Sequence, residues 1–199
     1  MMTCFPTIAK IARMEKQFEG VILSVVPYQD RHEIANVFTP FGKISVIRKW
    51  GRSAKKSPLS PLTRAEFFVS GGRGELFEVT EYRLIDPYLK LRDDLEAMRA
   101  AASLLKALKL TQEGEAPSEL LYRLLLKILS KISDFPKKNN LVTLFFLKLL
   151  LHEGLCPLEA LDLEMAELAP VRSFEKLASL DFSESFHKKV HTLFLESVA

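Results

Sequence analysis

Residues 33–49 read EIANVFTPFGKISVIRK, and the grammar of that stretch decides the first half of the chain. From Glu33 to Thr39 the residues alternate, with Ile34, Asn36 and Phe38 on one side and Ala35 and Val37 on the other. A period of two is what a strand imposes. Pro40, Phe41 and Gly42 supply a turn, and residues 43–49 resume as a second strand. Upstream, residues 18–26 are rich in Val, Ile and Leu and stop at Pro27; downstream, residues 66–70 and 75–84 repeat the strand pattern across Gly71-Gly72-Arg73-Gly74. Five short strands within residues 17–86 predict a small barrel or sandwich. Residues 51–63 interrupt it as a Ser-, Pro- and Lys-rich loop containing Pro58 and Pro61.

After Asp86-Pro87 the period changes. Residues 92–110 place Leu95, Met98, Ala102, Leu105 and Leu108 at steps of three and four, which predicts an amphipathic helix with those side chains inward. Gly114 and Pro117 end it, and Ser118 is placed to cap a helix that repeats Leu121, Leu124, Leu125, Ile128 and Ile132 until Phe135-Pro136. Residues 140–152 are apolar nearly all round, as in a helix enclosed by others, and Gly154 suits its C-terminal stop. Shorter helices follow at 157–167 and 173–180, and a last one at 183–198 turns Phe186, Val190, Leu193 and Phe194 inward. The organisation is α+β in two parts: an extension at 1–16, a β domain at 17–86 and a helical domain at 88–199. The junction Leu84-Ile85-Asp86-Pro87-Tyr88 is too short and apolar for a flexible linker, so the two parts are expected to pack together.

The chain has 199 residues, 48% of them hydrophobic and 27% charged, which excludes disordered and collagen-like classes. Cys4 and Cys156 are its two cysteines, too few for a disulfide framework or a cysteine-rich zinc site. Residues 1–17 lack the continuous apolar core of a secretory signal. The apolar run 141–151, broken by Thr143 and Lys148, falls short of the about 20 residues a membrane span needs. A cytoplasmic protein is expected. The formal net charge of +3 hides an asymmetry: residues 1–90 carry 14 Lys and Arg against 9 Asp and Glu, residues 91–199 carry 14 against 16. Between Glu33 and Glu66 no acidic residue occurs, while Lys43, Arg48, Lys49, Arg52, Lys55, Lys56 and Arg64 do. A block of this kind points to a polyanion partner, with a solvated loop as the bland alternative.

Catalytic motifs are missing: there is no Walker phosphate loop, no G-x-S-x-G elbow and no H-E-x-x-H. Glu184, His187 and His191 share one helix face and could hold zinc, although Lys188 and Lys189 beside them disfavour a dication. Cys156 reads as a small apolar filler. Nucleic acid fits better. A five-stranded barrel offers a face for base stacking and loops whose cations follow phosphates. Trp50 lies inside the basic loop with Arg48, Lys49, Arg52, Lys55 and Lys56, and Tyr28, Phe38, Phe41, Phe68 and Phe77 are further aromatic candidates, most of them expected in the core.

The string Glu19-Gly20-Val21-Ile22-Leu23-Ser24, then Pro27-Tyr28 with Asp30-Arg31, then Phe38-Thr39-Pro40-Phe41-Gly42-Lys43-Ile44-Ser45 resembles the start of the RecO family of bacterial recombination mediators. Leu59-Ser60-Pro61-Leu62-Thr63 before Glu66-Phe67, Gly72-Arg73-Gly74-Glu75-Leu76, and Asp86-Pro87 before Leu91-Arg92-Asp93-Asp94-Leu95 continue the pattern. The resemblance covers residues 18–110 by motif and the rest by architecture. It implies an N-terminal OB-fold, a helical C-terminal domain, binding of single- and double-stranded DNA, and annealing of complementary strands. It further implies work with RecR, with or without RecF, in loading RecA onto DNA coated by single-strand-binding protein, whose acidic, apolar C-terminal tail docks on the helical domain. The implied DNA contacts are Lys43, Arg48, Lys49, Arg52, Lys55 and Lys56, with Arg31 and Arg73. Arg123, Lys127, Lys131 and Lys148 are candidates to meet the acidic tail. Many members carry a four-cysteine zinc module after the helix corresponding to residues 141–153, and here only Cys156 stands in that stretch, so no zinc is expected. Two other readings stay open: a protein-interaction adaptor acting through the helical half, and a metal-dependent hydrolase at Glu184, His187 and His191.

Overall fold

Thr39 sets the turn on which the β domain is built. Its Oγ1 accepts from Phe41 N (3.1 Å) and donates to Gly42 O (2.9 Å), and Gly42 takes φ of 108°, which L residues avoid. In this computed structural model, residues 15–49, 59–71, 76–114, 116, 118–157, 159 and 161–198 are described. Five strands form: β1 (Glu15–Tyr28), β2 (His32–Thr39), β3 (Gly42–Lys49), β4 (Arg64–Ser70) and β5 (Leu76–Asp86). They close into a barrel of order β1-β2-β3-β5-β4, antiparallel throughout except for β3 against β5. This is the five-stranded OB-type barrel, and with the helices that follow the architecture is α+β in two parts. The long β1 pairs with β4 through its first half and with β2 through its second; a bulge between Ile22 and Ser24 bends it from one to the other. Gly20 allows that close passage, since a Cβ there would stand 2.4 Å from Val37 Cγ1.

Among the described residues seven helices follow: α1 (Leu89–Arg92), α2 (Leu95–Thr111), α3 (Glu119–Lys131), α4 (Lys138–His152), α5 (Leu163–Leu168), α6 (Phe174–Ser179) and α7 (Glu184–Ser197). Asp94 caps α2 by accepting from Glu96 N and Ala97 N, and Ser183 caps α7 through Phe186 N. The inward face of α2 differs from the sequence expectation. Leu95 is 65% exposed and Ala102 is exposed, while Ala97, Ala100, Ala101, Leu104 and Ala107 are buried with Leu105 and Leu108. The alanines let the helix axis come close to its neighbours, so they share the inward face with Leu104, Leu105 and Leu108 while Leu95 stays outside. Ser118 stands at the N-terminus of α3, but its hydroxyl donates to Gln112 Oε1 and Ala116 O rather than capping. α4 is buried almost all round, and Gly154 follows it at φ of 67°. None of the described helices is long and apolar enough to cross a membrane.

Two cores result. One fills the barrel with Ile22, Ala35, Val37, Ile44, Val46, Ala65, Phe67 and Val69. The other fills the helical part and takes in Val21, Leu23, Phe38, Leu62 and Tyr88 from the barrel side, so the two parts share one apolar interface. Phe38 meets Tyr122 edge to face, with ring centres 6.0 Å apart. Around it, Tyr122 Oη donates to Glu19 Oε1 (2.7 Å), Arg64 pairs with Glu19 Oε2 (2.7 Å), Ser118 N donates to Pro40 O (2.9 Å) and Lys43 N to Gly114 O (3.0 Å). Burial pushes the Glu19 carboxyl up, but the hydrogen bonds from Arg64 and Tyr122 outweigh it and hold the group below its ordinary value. Burial and the bond to Glu19 push the Tyr122 phenol up, and burial with nearby Asp86 pushes Tyr88 up to about 12.

Candidate nucleic-acid interface

Strand register stacks three rungs on the outer face of β1, β2 and β3. Ser24, Asn36 and Ser45 form the first, joined by hydrogen bonds from Asn36 Nδ2 to Ser24 Oγ (3.2 Å) and from Ser45 Oγ to Asn36 Oδ1 (2.9 Å). Val26, Ile34 and Ile47 form the second, with Val26 54% exposed. Tyr28, His32 and Lys49 form the third, at the Lys49 end of β3. Tyr28 is 44% exposed, Lys49 is exposed, and Arg31 is exposed in the adjoining turn beside Gln29, whose φ is 54°. The Nδ1 atom of His32 is buried without a hydrogen-bond partner among the described residues. An aromatic ring, two cations and an apolar rung on one sheet face are the parts that stack bases and neutralise phosphates. Trp50, Arg52, Lys55, Lys56 and Arg73 lie outside the described residues.

Arg48 is a correction. It has the parity of Ile44 and Val46, points into the barrel end at 7% exposure, and pairs with Glu33 (3.2 Å), itself 3% exposed. The ring of Tyr82 lies beneath the guanidinium, 4.7 Å to its centroid, and Leu59 N donates to the same Glu33 oxygen (3.2 Å). Arg48 therefore plugs the barrel and is not presented to solvent, and Glu33 joins Arg48 of β3 to the backbone at Leu59. Lys43 is at the opposite end of β3, roughly 20 Å from Lys49 at about 3.3 Å per residue, and its Nζ donates to Lys109 O (3.4 Å). Of the aromatic candidates, Phe38 is fully buried, Phe68 lies under Arg83 and Phe77 under Lys16, and Phe41 is 62% exposed at the β2–β3 turn.

On the helical part, Arg123, Lys127 and Lys148 come together around a groove of about 490 Å³ whose walls include Leu120, Leu124 and Leu144. Val171, Arg172 and Phe174 join it from a distant segment and His152 from the end of α4, and none of the four stood out in the sequence for this surface. Lys131 does not line it. Lys148 donates to Ala169 O (3.0 Å), and burial together with the neighbouring Arg172 holds its ammonium below the ordinary range. The zinc alternative is dispersed: His187 Nδ1 is 2.7 Å from Thr143 Oγ1, His191 stacks on Phe146, and among the described residues no three His, Cys, Asp or Glu side chains gather as a metal site. Burial holds His187 below its ordinary range.

Residues 14–88 match the family described as Recombination protein O N terminal. The barrel is similar to the N-terminal domain of RecO over those residues. Relatives named DNA repair protein RecO align beyond it: that of Chlamydia muridarum is 28% identical over 138 residues, covering 68% of this chain and 59% of that one. Its counterpart in Chlamydia trachomatis serovar L2 is 28% identical over 144 residues, covering 71% and 59%, and that of Prosthecochloris aestuarii is 29% identical over 133, covering 64% and 50%. The chain thus spans at most 59% of the length of these RecO relatives. A solved asparaginyl-tRNA synthetase from Entamoeba histolytica shares 10% identity at a TM-score of 0.33 over 66% of this chain and 35% of its own, too weak a likeness to build on. In the barrel, then, the three-rung face is exposed to solvent while Arg48 is interior.

Proposed function

We propose that this protein is a DNA-binding mediator of recombinational repair, working by binding rather than by catalysis. The observation that carries the reading is the Tyr28, His32 and Lys49 rung beside Arg31, directly followed in sequence by the lysine- and arginine-rich residues 50–56. A single strand lies along the β1–β2–β3 face with bases against Tyr28 and the Val26–Ile34–Ile47 rung and phosphates on Lys49, Arg31 and the loop cations Arg52, Lys55 and Lys56. Duplex DNA meets the same cations through its backbone, and annealing follows from screening two strands held together. In this role the protein acts in the cytoplasm, on the nucleoid, with RecR, with or without RecF, in the loading of RecA onto DNA coated by single-strand-binding protein. The apolar groove rimmed by Arg123, Lys127, Lys148 and Arg172 receives the acidic, apolar tail of that protein. The same groove favours the second reading, an adaptor that works through the helical part alone.

Titration of a fluorescent oligothymidylate at several salt concentrations tests the first reading. Lys49→Ala should flatten the log–log salt slope by about 0.7, and Tyr28→Ala should weaken binding by about 1–3 kcal/mol with the slope unchanged. Absence of binding at low salt, with the tail peptide still bound, would establish the adaptor instead.

A further inference from the structure

A groove of about 420 Å³ runs between the barrel and α2, and no carboxylate is among its described lining residues. Leu23 and Ser24 of β1 with Pro61 form one wall; Ala102, Lys106 and Lys109 of α2 form the other. Arg92 reaches the groove as well, but its guanidinium donates to Pro61 O (2.9 Å) and Leu62 O (3.1 Å), so it shapes the floor. Lys106 and Lys109 are exposed, three residues apart on one helix face, and neither has an ion-pair partner among the described residues. Lys43 stands beside them through its contact with the carbonyl of Lys109.

Two residues join this groove to the three-rung face. Ser24 belongs to both, as groove wall and as the end of the hydrogen-bonded Ser24–Asn36–Ser45 rung. Lys43 belongs to β3, whose other end is Lys49. Cations therefore stand at both ends of the face, with uncharged rungs between them. An opening of this volume is on the scale of a small-molecule pocket, which suits part of a single strand and not a duplex.

We infer that a single nucleic-acid strand bound along the β1–β2–β3 face continues across the groove between the barrel and α2, with its phosphates on Lys43, Lys106 and Lys109. This rests on the DNA-binding reading above and extends it: the helical part contributes to strand binding, and the bound length exceeds what the barrel face covers. The charge complementarity is local, since α2 presents these two lysines where the barrel face ends.

The test uses the full chain and two oligothymidylates, of about 6 and about 16 nucleotides, toward the lower and upper ends of the range a single OB-fold covers. Lys106→Ala with Lys109→Ala should leave affinity and salt slope for the short strand unchanged and flatten the slope for the long one by about 1.4, near 0.7 per lysine. Lys106→Gln with Lys109→Gln should give the same result with helix-forming stems retained. A long-strand slope equal to wild type, or an equal loss on both lengths, would overturn the extension while leaving the barrel reading in place. If the wild-type chain binds neither strand at low salt, the barrel reading fails and the extension with it. Protection of the two lysines by an acidic peptide and not by the long strand would assign the groove to a protein ligand and overturn the proposal.

Discussion

Arg48→Met separates a structural cation from a DNA-binding one. The substitution keeps an apolar stem of similar length and removes the charge. Glu33 would remain at 3% exposure with Leu59 N as a remaining hydrogen-bond donor to its Oε1. Breaking a buried pair costs about 3–5 kcal/mol, because the surviving charge stays desolvated. Loss of the guanidinium from the face of Tyr82 adds up to about 1 kcal/mol. In a chain of this size each kcal/mol lowers the melting temperature by about 2–4 °C, so a fall of roughly 6–24 °C is expected. Adding Glu33→Gln removes the stranded charge and should recover part of that loss; a double-mutant cycle by urea unfolding measures how much. The DNA salt slope of Arg48→Met, taken well below its melting temperature, should match wild type. Stability within about 0.5 kcal/mol of wild type together with a slope flattened by about 0.7 would refute the reasoning, since the guanidinium would then be reaching phosphate.

Gly42→Ala forces a side chain into φ of 108° and places its Cβ 2.5 Å from Ala116 N and 2.7 Å from Gly114 O, so it should cost at least about 2 kcal/mol in urea unfolding and disturb the barrel–helix junction. Tyr122→Phe removes the donor to Glu19 and should cost about 1–2 kcal/mol by the same measurement. Because the folded Glu19 carboxyl is held below its ordinary 4.5, its contribution is present in full above that pH and is lost as pH falls through the lowered value. The stability gap between wild type and Glu19→Gln should therefore close in acid, as urea midpoints between about pH 7 and pH 3 will read. Lys127→Glu with Arg172→Glu should weaken binding of an acidic, apolar peptide by tenfold or more, roughly 1.4 kcal/mol, in isothermal titration, and leave the DNA salt slope unchanged.

The strands were legible because each carries its own period and stop. Residues 33–39 and 43–49 form β2 and β3 to within a residue, and Thr39 to Gly42 turn between them as the sequence implies. Closure was less legible, since β3 pairs in parallel with β5, which follows it only after β4 in the chain, a contact no local pattern reports. The face of α2 was legible only in part: Leu105 and Leu108 face in as the spacing implies, but the buried face is centred on Ala97, Ala100, Ala101, Leu104 and Ala107, which leaves Leu95 and Ala102 exposed. Positive charge between Glu33 and Glu66 was plain in the sequence, but the role of each cation was not. Arg48 shows what would have helped: it shares strand parity with Ile44 and Val46, as Glu33 does with Ala35 and Val37, so alternation already turned both inward. Arg172 and His152 carried no such signal, because the groove they complete is assembled from three separate segments.

α3 is where the two candidate surfaces are tied to one frame. Its first turn is fastened to the barrel: Ser118 N donates to Pro40 O, and Tyr122 reaches Glu19 and packs on Phe38. Leu125, Ile128 and Leu129 bury into the helical core, while Leu120, Arg123, Leu124 and Lys127 look out over the apolar groove. One helix thus serves as a latch on its inner face and a groove wall on its outer face, and the two roles use different residues. Substitutions on the two faces should separate accordingly. Arg123→Ala, at a side chain 68% exposed and paired with Glu119 within one turn, should change stability by no more than about 0.5 kcal/mol and act on the peptide ligand alone. Tyr122→Phe, one residue earlier, should act on stability and leave peptide affinity unchanged at temperatures where both proteins are folded. If Arg123→Ala lowered the unfolding midpoint as Tyr122→Phe does, the outer face would be part of the frame, and the groove would be a packing feature of the helical core instead of a surface held open for a ligand.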